Sequence, residues 1–129
     1  MKHQGLDHIA IVVKDTDEAL KTWHHGMGLP LLHSEVVNGG SIRLTHLDLG
    51  NTHLQLVQPL TPDHPLQTWL KENGSGLHHF CLKVENVSDT KMAAPFPCIG
   101  EPHQGIQGKR AIFIDKKATN NTQVELTGK

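Results

Sequence analysis

The chain has 129 residues with 12 Lys plus Arg against 13 Asp plus Glu, a formal charge of −1. That balance gives no global pull toward nucleic acid or a charged membrane surface. The length allows one domain with a core of its own and no need for covalent staples. The basic residues are scattered apart from Lys109-Arg110 and Lys116-Lys117, which could meet a phosphate only locally. Cys81 and Cys98 stand in no CxxC arrangement, and the expectation is free, partly buried thiols in a reducing compartment. The N-terminus lacks a signal-peptide apolar region and no apolar run approaches membrane length, so a soluble cytoplasmic protein is expected.

Taken in chain order, residues 6–13 alternate and read as a strand. Asp15 or Thr16 caps a helix with Ala19, Leu20, Trp23 and Met27 on its apolar face and Gly28 as its stop. Strands follow over 31–37 and 42–49, joined by the Asn38-Gly39-Gly40 turn, and a fourth over 53–57. A polar, proline-bearing connection leads to a short helical turn over 66–71. The pattern then restarts, with a strand over 77–84 and a helix from Asn86 or Ser88 that Pro95 cuts short. Strands over 97–101, 110–115 and 123–127 complete it, with residues 105–108 (GIQG) as a mobile loop.

The restart is visible in the letters. Residues 5–13 read GLDHIAIVV and residues 76–84 read GLHHFCLKV; residues 51–56 read NTHLQL and 121–126 read NTQVEL. His8 to His79 is a displacement of 79 − 8 = 71, and Gln55 to Glu125 is 125 − 55 = 70. Two independent echoes at almost the same spacing indicate an internal duplication. It divides the single domain, 1–129, into modules of about 5–58 and 76–127 with the order β-α-β-β-β. The register with His8 selects His79 over its neighbour His78.

Strand parity places the four echoed residues on comparable faces. His8 shares a side with Ala10 and Val12, Gln55 with His53 and Val57, His79 with Cys81 and Lys83, and Glu125 with Gln123 and Thr127. The alternate positions are mostly large and apolar, suited to packing beneath helices. A lone strand histidine is usually a hydrogen-bonded residue, a glutamine a solvated one, and Glu125 needs a partner if buried. Together, two histidines, an amide and a carboxylate at duplicated positions point to one divalent metal ion.

These segments closely resemble the methylmalonyl-CoA epimerase branch of the vicinal oxygen chelate superfamily, which includes glyoxalase I. The resemblance runs through LDHIAIVVKDTDEALKTW, LGNTHLQLVQPL, GSGLHHFCLKVENV, GKRAIFIDKK and QVEL. It implies an α+β fold in which two βαβββ modules form a half-open, eight-stranded barrel, and a homodimer. It implies His8, Gln55, His79 and Glu125 as metal ligands, where glyoxalase I of the bacterial type has Glu in place of Gln55. A donor set of N and O atoms suits cobalt, nickel, manganese or zinc, and the resemblance favours cobalt.

The implied activity is epimerisation of an acyl-CoA thioester such as methylmalonyl-CoA. The metal acts as Lewis acid for an enolate while a proton leaves one face and returns to the other. Glu125 is the first candidate for moving that proton. The family's second glutamate is replaced here by Leu44, which cannot move one, and parity makes His46 the nearest titratable residue on that face. The competing readings are a glyoxalase I-like lactoylglutathione lyase acting on a thiol hemithioacetal, and a non-enzymatic binding member of the superfamily.

Overall fold

A computed structural model describes residues 1–129, which divide into two compact units: Ile9–His78, and Met1–His8 together with His79–Lys129. The elements run β1 (Leu6–Val12), α1 (Thr16–Leu20), β2 (Leu31–Val37), β3 (Ile42–Asp48), β4 (His53–Pro59), α2 (Pro65–Asn73), β5 (Gly76–Lys83), α3 (Val87–Ala93), β6 (Cys98–Gln104), β7 (Arg110–Ile114) and β8 (Val124–Gly128). No helix is long and apolar enough to cross a membrane.

In the unit Ile9–His78 the strand order is β2-β3-β4-β1. Antiparallel pairing sets Leu44 opposite Val57, His46 opposite Gln55 and Asp48 opposite His53. On the other side of β3, Glu35 lies opposite Leu44 and His33 opposite His46. Directly paired residues share a face of the sheet, so one face carries His33, Glu35, Leu44, His46, Gln55 and Val57. The alternate residues of β4, Leu54 and Leu56, pack with Val13, Leu20 and Leu47 against Ile11, Ala19 and Trp23. This is the apolar face that the alternation predicts.

The first helix begins as expected and ends differently. Asp15 caps it, accepting the Glu18 N–H at 3.0 Å, and the Gln58 amide oxygen accepts from both the N–H and the hydroxyl of Thr16. Beyond Leu20 the helix widens into a π-turn over Lys21–Gly26. There the Met27 N–H reaches the Thr22 carbonyl, five residues back, at 2.8 Å. The wider turn rotates Met27 off the apolar stripe and leaves it 60% exposed, where a regular 3.6-residue period places it inside.

In the second unit the order is β5-β8-β7-β6, with β5 and β8 parallel and Cys81 beside Glu125. Val124 and Leu126 pack with Val84, Val87, Ile112 and Ile114 against Phe80 and Leu82. Asn86 caps α3 through the Asp89 N–H at 2.9 Å, and the helix is short, as Pro95 requires. Residues 105–108 form a tight turn, 3₁₀ over Ile106–Gly108 with Gln107 in the left-handed region at φ 56°. The Gly105 N–H donates to the Lys109 carbonyl at 2.8 Å, and Ile106 is buried beneath it. Gly128 lies so close to the Val84 carbonyl that a Cβ there would overlap it.

The duplication recurs in the hydrogen bonds. The Val13 N–H donates to the Val57 carbonyl at 2.9 Å, and the Val84 N–H to the Thr127 carbonyl at 2.8 Å. Their displacements, 84 − 13 = 71 and 127 − 57 = 70, match those of the sequence echoes. The Asp48 N–H meets the Pro30 carbonyl and the Asp115 N–H the Pro97 carbonyl, both at 2.9 Å, with 115 − 48 = 97 − 30 = 67. Just before β1, the Gln4 N–H donates to the Lys83 carbonyl at 2.8 Å and the Lys83 N–H to the Gly5 carbonyl at 2.9 Å.

Candidate metal centre

Within the unit holding the termini, His8, His79 and Glu125 come together. One ligand atom from each lies within 4.8 Å of the others. His8 Nε2 and His79 Nε2 both approach the same carboxylate oxygen, Glu125 Oε1, at 3.4 Å. The other oxygen, Oε2, is 3.4 Å from His103 Nε2. All three residues of the trio have side chains less than a tenth exposed, whereas His103 is 40% exposed.

The trio fits a metal. A distance of 3.4 Å is long for a charge-assisted hydrogen bond. Donor atoms about 2.1 Å from a common ion at octahedral to tetrahedral angles lie about 3.0–3.4 Å apart. Each imidazole nitrogen stands at that spacing from the carboxylate oxygen, and all three atoms lie within 4.8 Å of one another, as corners of such a polyhedron would. A second grouping, Asp7, His8 and Cys81, is also close enough to consider. Burial pushes the Cys81 thiol well above its ordinary range, with Glu125 and Asp7 adding to the effect. A thiol must ionise to bind metal, so that grouping is the poorer one.

Charge in the centre is set by neighbours rather than by solvent. Burial alone would raise the Glu125 carboxyl, but His103, His79 and His8 together hold it well below the usual carboxylate range. Glu125 is therefore an anion. For His8, burial pulls the imidazole down, but the hydrogen bond to Asp7 and the contact with Glu125 outweigh it and bring the pKa to about 8. The Asp7 Oδ2 contact with His8 Nδ1 is 2.7 Å. It fixes the ring so that Nε2 faces Glu125, as outer carboxylates orient metal-binding histidines.

Gln55 and His46 meet each other in the unit Ile9–His78. Gln55 Nε2 is 3.1 Å from His46 Nε2, and His46 Nδ1 is 2.9 Å from His53 Nδ1. His33 stacks on His46 with ring centres 5.0 Å apart. Both nitrogens of His46 are thus engaged. Leu44, two residues before His46 on β3 and paired with Glu35 and Val57, is buried and carries no titratable group.

Three residues escaped the sequence reading. Asp7 should point away from His8 by strand parity, and its carboxylate bends back; the aspartate immediately before a strand histidine was the available signal. His103 lies beyond the expected end of its strand, past a break in the β6–β7 register between Ile99 and His103. The third, Glu35, lies opposite Leu44 in the β2–β3 pairing, a neighbour that the sequence does not display.

Beside His103, a cavity of about 270 Å³ is lined by Pro102, Gln104, Lys109 and Arg110. It has room for a small polar group and a basic wall.

Comparison with known proteins bears on the family and the fold. The family model described as Glyoxalase/Bleomycin resistance protein/Dioxygenase superfamily matches residues 7–113. The chain is 33% identical over 125 residues to the uncharacterized protein YqjC of Bacillus subtilis, covering 94% of this chain and 89% of that one. It is 31% identical over 131 residues to the mitochondrial methylmalonyl-CoA epimerase of Dictyostelium discoideum, covering 96% and 78%. A Streptomyces coelicolor methylmalonyl-CoA epimerase variant, solved with 2-nitronate-propionyl-CoA, superposes with a TM-score of 0.84 at 26% identity, covering 98% of each chain. The eight-stranded, duplicated βαβββ architecture is the glyoxalase-like fold of those structures. The chain belongs to the glyoxalase/bleomycin resistance protein/dioxygenase superfamily, on the branch that holds the methylmalonyl-CoA epimerases.

Proposed function

We propose that the protein is a metal-dependent epimerase of an acyl-CoA thioester, with methylmalonyl-CoA as the substrate. The observation that carries this reading is the buried Glu125 carboxylate with His8 Nε2 and His79 Nε2 both at 3.4 Å from one of its oxygens. The epimerase relatives and the acyl-CoA analogue in the Streptomyces structure support the substrate class.

His8, His79 and Glu125 would hold the ion, with Gln55 carried over from the resemblance as the fourth ligand. Cobalt as the ion and a homodimer as the assembly rest on the same resemblance. When bound, a divalent ion supplies the Lewis acidity that a weakly acidic α-proton beside a thioester requires.

The chain's own residues do the rest. Asp7 holds His8 in one ring orientation. Glu125 divides its duties, with Oε1 between the two histidines and Oε2 turned to His103. Glu125 is anionic, and Oε2 is the oxygen not shared by the two ligand histidines, so it is the one placed to take a proton. His103, partly exposed beside it, can pass that proton to and from solvent.

The test is conversion of one enantiomer of methylmalonyl-CoA to the other, followed by chiral analysis. It is run with protein loaded with cobalt and with protein treated with a chelator. Conversion is expected only in the loaded sample. Loaded protein that leaves methylmalonyl-CoA unchanged but isomerises a thiol hemithioacetal would replace this reading with the glyoxalase one. Loaded protein inert toward both would replace it with a binding role.

A further inference from the structure

We infer that His46 is a positioning residue, which fixes the Gln55 amide so that its carbonyl oxygen is the end left to meet a cation. The inference rests on the reading of Gln55 as a metal ligand.

A glutamine ligand has a problem that a glutamate does not. The two ends of its amide are nearly the same shape, but only the oxygen can bind a cation, while the NH2 end repels one. A half-turn about the last side-chain bond exchanges them. Something must hold the amide the right way round.

His46 is placed to do this. Gln55 is 5% exposed and His46 2%, so their polar groups are satisfied mainly by protein partners. Gln55 Nε2 can only donate, and it lies 3.1 Å from His46 Nε2, which must then accept. A neutral imidazole that accepts at Nε2 carries its proton on Nδ1, and His46 Nδ1 lies 2.9 Å from His53 Nδ1. The chain of bonds runs from the Gln55 NH2 to His46 Nε2, then from His46 Nδ1–H to His53 Nδ1. One tautomer of His46 satisfies both contacts. With the NH2 end held by His46, the carbonyl oxygen is the end of the Gln55 amide turned away from that ring.

The internal duplication supplies a comparison. β3 pairs His46 with Gln55, and β7 pairs Phe113 with Glu125. These are equivalent pairs, since 46 + 67 = 113 and 55 + 70 = 125 by the displacements of the conserved backbone bonds. Where the residue facing inward is a carboxylate with two equal oxygens, its cross-strand partner is an apolar ring. Where it is an amide, the partner is an imidazole able to tell the two ends apart.

The experiment has two readouts on the full chain. The first is 15N NMR of the histidine rings in metal-free protein, where His46 is expected as the neutral Nδ1–H tautomer. An Nε2–H tautomer or an imidazolium at His46 at pH 8 would overturn the inference without any variant being made. The second is cobalt affinity, by competition with a chelator, in a cycle of His46→Leu, Gln55→Glu and the double variant, with folding checked by circular dichroism.

His46→Leu is expected to weaken cobalt binding about 10–100-fold, as loss of an outer-shell partner does, and His46→Gln, which restores an acceptor, to recover most of that. In the Gln55→Glu background the same His46→Leu change should cost under about threefold, because a carboxylate needs no orienting. An equal loss in both backgrounds would show a merely structural role. Wild-type protein that binds no cobalt, with His46 still in the expected tautomer, would defeat the metal reading of Gln55 and leave the hydrogen-bond chain standing.

Discussion

Replacing Asp7 by Asn separates two effects that the Asp7–His8 contact combines. In metal-free protein the His8 pKa of about 8 leaves roughly nine-tenths of that ring protonated at pH 7. A metal ion must displace that proton, at a cost of about 1.4 kcal/mol, or about tenfold in affinity at pH 7. By pH 9 the competition is gone. Wild-type affinity is therefore expected to rise about tenfold over that range. Asp7→Asn removes the hydrogen-bonding carboxylate 2.7 Å from His8 Nδ1, so the ring loses its proton more readily and the competition at pH 7 disappears. It also removes the partner that orients the ring and strengthens it as a ligand, at about 10–100-fold in affinity. The net loss should be about 10–100-fold at pH 9 and about tenfold smaller at pH 7, and the variant's affinity should be nearly flat with pH. Isothermal titration with cobalt at both pH values measures this. A variant whose pH dependence parallels wild type would refute the assignment of the competing proton to His8.

Three further outcomes follow from named contacts. The raised His8 pKa stabilises the chelated protein fully below its ordinary 6.5, by about 2 kcal/mol, and that contribution is lost as pH rises through about 8; thermal melts of chelated protein should fall between pH 6.5 and 8.5, while metal-loaded protein should not. Glu35 is the carboxylate directly opposite Leu44; if it replaces the second proton-moving group that Leu44 cannot supply, Glu35→Gln is expected to slow stereochemical inversion by about 10²-fold or more while leaving α-proton exchange near wild type, and equal loss of both would deny it that role. Gly128→Ala should cost about 1–3 kcal/mol in urea unfolding, because its Cβ meets the Val84 carbonyl and one strand must move; a change under about 0.5 kcal/mol would show that β8 yields freely.

Much of the fold was legible because the apolar alternation is regular and occurs twice. Leu54, Leu56, Val124 and Leu126 pack beneath the helices as period-two patterning requires, and Asp15 and Asn86 cap where a side-chain acceptor precedes a helical stretch. The π-turn was not legible, since Lys21–Gly26 has no composition that distinguishes a five-residue hydrogen bond from a four-residue one. Of the candidate site, the duplication singled out His8, Gln55, His79 and Glu125, and His8, His79 and Glu125 lie within 4.8 Å of one another. The surroundings were not legible. Asp7 bends against strand parity, His103 follows a register break, and the His46 contacts require β3 and β4 to be paired before the side chains can be counted together.

The central claim is enolate chemistry at Glu125, and proton NMR of methylmalonyl-CoA in D2O tests it most directly. Cobalt-loaded wild-type protein should erase the α-proton signal rapidly, chelated protein should not, and Glu125→Ala should abolish the loss. Persistence of that signal in the presence of wild-type protein shown to hold one cobalt ion per chain would contradict the account.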